Sequence, residues 1–201
     1  MTVGRYLSAG DPDLAPSADP ARSRARLVEA DLPAAQAAER DRVLHLLDGA
    51  GSALAERTTA PGHLTGSALV LDADEQRILV LLHTKLRRWL QPGGHADGDH
   101  ELAGVALREA TEETGIEGLR VRVPAVDLDV HEVDHGDPLG THLHLDLRFL
   151  VLAPPGAVPI GNHESLGLRW VTLPELVELA DEEGLVRLAR AALDAVAADR
   201  G

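Results

Sequence analysis

The 201 residues predict an α/β fold: an α/β/α sandwich with helices on both faces of a mixed β-sheet, preceded by an N-terminal helical appendage. Two observations point there. From residue 61 onward, short runs rich in Val, Ile and Leu alternate with helix-period segments, and residues 21–56 form a separate stretch dominated by Ala, Leu, Arg and Glu.

Taken in order, residues 1–20 carry Asp11-Pro12-Asp13 and Ala18-Asp19-Pro20 and read as an irregular lead-in, mobile at its start. In 21–56, Leu27, Leu32, Val43, Leu46, Leu47 and Leu54 mark two short amphipathic helices broken near Pro33 and at Gly49 to Gly51. Residues 1–60 are therefore a lead-in and appendage, and 61–201 the main domain. Pro61-Gly62 opens that domain. Runs 67–71 and 77–82, separated by Asp72-Ala73-Asp74-Glu75, have the pattern of a hairpin with buried strands. A brief strand at 89–91 leads into Pro92-Gly93-Gly94, a turn whose glycines leave backbone open to close approach. A helix follows, with Asp99 or His100 at its N-cap, Asp99 being the better capping residue, and Gly115 at its left-handed end. Residues 119–133 and 143–152 read as strands, and 173–180 and 183–198 as helices.

The central helix carries the chemistry. Glu109, Glu112 and Glu113 stand at i, i+3 and i+4, so their carboxylates share one face with Cβ atoms about 5–6 Å apart. Arg108 offsets part of the charge from another direction. The counter-ion that suits such a group is a hard divalent cation, because Mg²⁺ prefers oxygen ligands and is commonly shared with substrate phosphates.

Read as Gly94, five residues, the place of an acid, seven residues, then Arg108-Glu109-Ala110-Thr111-Glu112-Glu113-Thr114-Gly115-Ile116, the segment resembles the signature box of the Nudix hydrolases. Counting from Gly94, His100 stands where that family carries its first Glu, with Glu101 beside it. The resemblance covers about residues 62–182. It implies the Nudix fold and Mg²⁺-dependent hydrolysis, with Mn²⁺ as a substitute, of a diphosphate linkage in a nucleoside diphosphate derivative or related small organic pyrophosphate. It also implies that Glu109, Glu112 and Glu113 ligate metal with a carbonyl of Gly93, that one glutamate takes the proton from water, and that Arg108 orients them. A catalytically silent metabolite-binding regulator of the same fold is the alternative; it usually accompanies an eroded box, whereas all three glutamates are present here.

Outside the box, strict alternation in Thr141 to Phe149 puts His142, His144, Asp146 and Arg148 on one strand face, which could line the substrate cleft with His144 or Asp146 near the metals. A half-exposed sheet with a polar wet side fits the same pattern. Glu164 is a second candidate acid or base. Most of the ten histidines lie between His63 and His163, and His95, directly after the two glycines, is the strongest candidate among them to meet phosphate. Gln91 flanks the same turn. Lys85, Arg87 and Arg88 could clamp phosphates or simply solvate a hairpin end.

Composition narrows the partners. A formal net charge of −14 argues against a nucleic-acid polymer, though not against a small phosphate ester carried in with Mg²⁺. Only Tyr6, Trp89, Phe149 and Trp170 are aromatic, which weakens a reading built on nucleobase stacking. With no cysteine, no membrane-length apolar run and no signal-like start, the expectation is a cytoplasmic enzyme that does not bind membranes. The appendage could pair two copies as a homodimer or pack in cis.

Overall fold

The computed structural model describes residues 2–134, 140–163, 165–180 and 182–201. Among the described residues, nine strands and five α-helices follow one another as β1 (Arg5–Ser8), α1 (Pro20–Glu29), α2 (Ala37–Ala50), β2 (Gly62–Leu71), β3 (Ile78–His83), β4 (Trp89–Leu90), β5 (Gly93–His95), α3 (Leu102–Thr114), β6 (Arg120–Val123), β7 (Asp127–Asp134), β8 (Thr141–Leu152), β9 (Ser165–Val171), α4 (Leu173–Leu179) and α5 (Glu183–Asp199), with short 3-10 turns at 12–14, 34–36 and 51–55.

The sheet is mixed. Its spine is the parallel pair β2–β8, in register from Gly62 with Leu143 to Leu71 with Leu152. On either side the sheet forks: β2 pairs with β5 near its start and β3 near its end, while β8 pairs with β7 near its start and β6 near its end. Polar residues gather on one face of the first half of the spine, among them His63, Thr65, Ser67, His144, Asp146 and Arg148. The other positions of the spine feed two apolar layers. Leu64, Ala68, Val70, Leu145, Leu147 and Phe149 pack towards α3 and the N-terminal helices, and Leu69, Leu71, Leu150 and Leu152 towards α4 and α5. These are the three layers of an α/β/α sandwich. Helix α3 approaches β2 closely at Gly66, where a Cβ would lie 2.8 Å from the Leu102 carbonyl oxygen.

Three sequence expectations are corrected. The lead-in is not irregular throughout: Arg5–Ser8 adds an edge strand to β6, and Ser17 binds the start of the box helix through its N–H to Asp99 and its carbonyl to the His100 N–H. The long run 119–133 divides into β6 and β7, because Pro124 has no N–H to give a ladder. Finally, α3 begins two residues later than Asp99, or one later than His100, would set it, with Glu101 at the N-cap position and its side chain engaged elsewhere. The two appendage helices, the first hairpin and the last two helices lie where sequence places them.

Candidate active site

Strand β5 is the hinge between box and sheet. Pairing with β2 turns the polar backbone groups of Gly94 towards Gly66, so those of Gly93 project from the opposite, strand-free edge. There the Gly93 N–H donates to Glu113 Oε2 at 2.9 Å. Gly94 backs onto Glu109: a Cβ on Gly94 would stand 2.5 Å from the Glu109 carboxyl carbon. Both glycines are therefore required by close approach, Gly93 because Ser67 fills the place of its missing side chain. Two of the three box carboxylates thus meet at the glycine strand. Glu112 stands on the exposed side of α3, and its carbonyl accepts from Asn162 Nδ2 at 3.2 Å. Arg108 lies over Glu109, with Nη2 3.3 Å from Oε1, and its other nitrogen is 3.6 Å from Asp99.

His100 and Glu101 are both fully buried, and the appendage holds them. His100 Nδ1 is 2.8 Å from Ser23 Oγ, and Nε2 donates to the Ser52 carbonyl oxygen at 3.2 Å, so the proton sits on Nε2 when the ring is neutral. Glu101 accepts from Arg26 Nε at 2.8 Å and pairs with Arg22 at 2.7 Å. Neither residue is therefore the direct partner of Arg108, whose acidic neighbours are Glu109 and Asp99.

The strand face read from alternation is present and wet only at its start: His142 and His144 are half-exposed, whereas Asp146 and Arg148 are buried. Asp146 is buried and its oxygens accept from Thr65 and Ser67 hydroxyls at 2.9 Å and from Arg148 Nε at 2.7 Å. That carboxylate is spent on positioning: it fixes Ser67, which underlies Gly93. Arg148 also reaches Asp129 at 2.9 Å, and Arg187 of α5 clasps Asp127 and Asp129 from outside. Burial pushes the Asp129 carboxyl up, but His131, Arg148 and Arg187 outweigh it and hold the group well below the usual carboxylate range.

His95 and His144 do come together, and His63 joins them. The register sets His63 beside His144 across the spine and His131 beside His144 on its other side. Nothing in the sequence flags His63 individually; the parallel pairing of β2 and β8, a long-range feature, creates its neighbourhood.

Lys85, Arg87 and Arg88 occupy the exposed β3–β4 turn, with Arg88 paired to Glu182, and Gln91 lies half-buried between β4 and β5. Glu164 lies outside the described residues. A cleft of about 370 Å³ opens between the appendage and the ends of β7 and β8, lined by Arg42, Arg57, Glu132 and His142 among others.

The NUDIX domain family model matches residues 62–191, from the first residue of β2 into α5. The chain belongs to the Nudix hydrolase family. The hydrolases of that family cleave pyrophosphate linkages, and its fold is the one described above. A zebrafish (Danio rerio) Nudix protein, m7GpppN-mRNA hydrolase NUDT17, is 32% identical over 79 residues, which cover 37% of this chain and 26% of that protein, so the match spans about a quarter of the relative. Among solved Nudix-fold structures, the C. elegans Ap4A hydrolase binary complex superposes with a TM-score of 0.58 at 18% identity, covering 67% of this chain and 98% of that one. The E. coli dihydroneopterin triphosphate pyrophosphohydrolase gives 0.54 at 15% identity, covering 65% and 94%. Both likenesses are of fold. No helix among the described residues is long and apolar enough to cross a membrane.

Proposed function

We propose that this chain is a Mg²⁺-dependent hydrolase of the diphosphate linkage in a nucleoside diphosphate derivative or related small organic pyrophosphate. The observation that carries the reading is the meeting of Glu109 and Glu113 with the Gly93-Gly94 strand. The donor set offered there, carboxylates plus a backbone carbonyl at an unpaired strand edge, is all hard oxygen and fits Mg²⁺, with Mn²⁺ as a substitute. Glu109, Glu112, Glu113 and the Gly93 carbonyl would hold it. When bound, the ion supplies charge that offsets the phosphate oxygens and acidifies water.

The chain's own part is orientation and proton transfer. Gly93 N–H keeps Glu113 aimed along β5, and Arg108 keeps one Glu109 oxygen turned back along the helix. A box glutamate not saturated by ligands accepts the proton of the attacking water. Asp146, through Ser67, sets the height of the glycine strand against α3. His95 and His144, on the sheet face opposite to the one where Gly94 meets Glu109, are candidates to meet the far end of a phosphate chain, whereas the exposed β3–β4 cations could recruit an anionic substrate from solution. The names of the similar proteins share a chain of phosphates and differ in the organic part, which supports recognition centred on the phosphates. A chain without cysteine is in keeping with a cytoplasmic setting.

Phosphate release, coupled to an auxiliary phosphatase, from a panel of Mg²⁺-nucleotide sugars, dinucleoside polyphosphates and nucleoside triphosphates tests the proposal. Wild type should turn over at least one, and Glu113→Gln should lose roughly 100-fold or more, the scale of several kcal/mol of electrostatic stabilisation. Tight binding of a panel member with no turnover of any would instead favour a silent binding module.

A further inference from the structure

The histidine cluster at the start of the spine has a geometry that sheet packing alone does not require. His63 on β2, His95 on β5 and His144 on β8 place their ring centres at the corners of a nearly equilateral triangle: 5.0 Å for His63–His95, 4.8 Å for His63–His144 and 5.1 Å for His95–His144. One nitrogen from each ring lies within 4.8 Å of the other two, and among the described residues this is the one set of three such donors brought so close. With metal–nitrogen distances of about 2.0–2.1 Å and a ring centre about 1.1 Å behind its nitrogen, three imidazoles around a tetrahedral ion stand about 5 Å apart. The triangle already has that size. Bringing the nitrogens to the ~3.3 Å spacing of such a set requires ring rotation rather than backbone movement.

We propose that His63, His95 and His144 form a second cation site, specific for a borderline transition ion, with Zn²⁺ as the expected occupant. Three neutral imidazoles select such ions over Mg²⁺, which prefers oxygen. The three ligands come from three strands, the arrangement that fixes a site most rigidly. His63 is wholly buried at the floor, whereas His95 and His144 are partly open, so a fourth position is left on the solvent side for water. Around the site, His131 Nδ1 lies 2.8 Å from Asp129 and its ring 5.5 Å from His144, and the His142 ring lies 4.7 Å from His63. Strand β5 links the two sites: Gly93 and Gly94 meet the box carboxylates and His95 reaches the triangle. The proposal does not rest on the hydrolase reading, since it concerns only binding of an ion by three nitrogen donors.

The test uses the full chain, stripped with a chelator and freed of it, then titrated with Co²⁺ or Zn²⁺ alone in the presence of excess Mg²⁺. One equivalent should bind, and Co²⁺ should give the visible absorption of a tetrahedral nitrogen-ligated ion. His95→Asn and His144→Asn, at the two partly exposed positions, should each weaken binding roughly 100-fold with the far-UV CD spectrum unchanged. Glu113→Gln should leave it intact. The proposal is overturned if the folded wild type fails to bind a stoichiometric ion, if both histidine variants bind as well as wild type, or if Glu113→Gln abolishes binding, which would put the ion on the carboxylates.

Discussion

Gly94 shows how much of the site depends on a missing side chain. The box helix and β5 approach until only a hydrogen fits, and the atoms on the far side belong to the Glu109 carboxylate. In Gly94→Ala the methyl group meets a flexible side-chain end, so the carboxylate moves and the fold does not. The expected result is a drop in kcat of roughly 10-fold or more with a melting temperature within a few degrees of wild type, since small misplacements at a reacting group cost rate more than stability. A melting temperature that falls in step with kcat would mean that the contact supports the fold instead. Asp146 carries the converse lesson. Alternation in the sequence puts it on one strand face with His142, His144 and Arg148, and its oxygens are taken by Thr65, Ser67 and Arg148. The pattern gives the direction of a side chain; what meets it depends on strands far away in the chain.

At the scale of elements, the box helix is bound to the appendage through two neighbouring residues. Glu101 is buried and Arg26 nearly so, joined at 2.8 Å, and His100 bridges α1 and the turn at 51–55. Breaking a buried pair from one side leaves the other charge uncompensated and costs about 3–5 kcal/mol. Arg22 still faces Glu101 when Arg26 is lost, so Arg26→Met should lower unfolding free energy by less than that, about 1.5–3 kcal/mol in urea denaturation, and Arg24→Met, whose surface pairing with Asp48 is exposed, by less than about 1 kcal/mol. Equal losses would remove the special role of the buried pair. The helices themselves were legible because periodicity and Gly or Pro stops are local signals. So was the box, where fixed spacings along one helix encode the site. The docking of Arg22 and Arg26 on Glu101 was not legible, nor was the edge strand at Arg5–Ser8, since four residues of strand exist only because β6 offers an edge to pair with. The histidine triangle belongs to the same class: His63 and His144 are far apart in sequence and meet through a parallel pairing that local pattern does not specify.

Across the whole molecule, the two ends of the chain are clasped around Arg122, a fully buried guanidinium. It donates to Asp199 of α5 at 2.8 and 3.0 Å and to the Thr2 carbonyl oxygen at 2.6 Å, while Asp199 also accepts from the Gly4 N–H at 2.7 Å and the Tyr6 hydroxyl at 2.8 Å. Burial alone would raise the Asp199 pKa, but Arg122, the Gly4 N–H and Tyr6 together bring it below the ordinary carboxylate value. Burial and the neighbouring carboxylate push the Tyr6 phenol up, so it stays a neutral donor across the usable pH range. A carboxylate depressed in the folded state is deprotonated more readily there than in the unfolded chain, where its pKa is about 3.9. Its contribution to stability is complete above that value and is lost as pH falls through the lower folded pKa. Asp199→Asn should accordingly be less stable than wild type at pH 7, and the gap should narrow as denaturation is repeated at successively lower pH below about 4, because wild type alone loses this term there. A gap of constant size down to acid unfolding would mean that the Asp199 charge contributes nothing and that the clasp is held by Asp31 and the Thr2 and Pro124 carbonyls on Arg122.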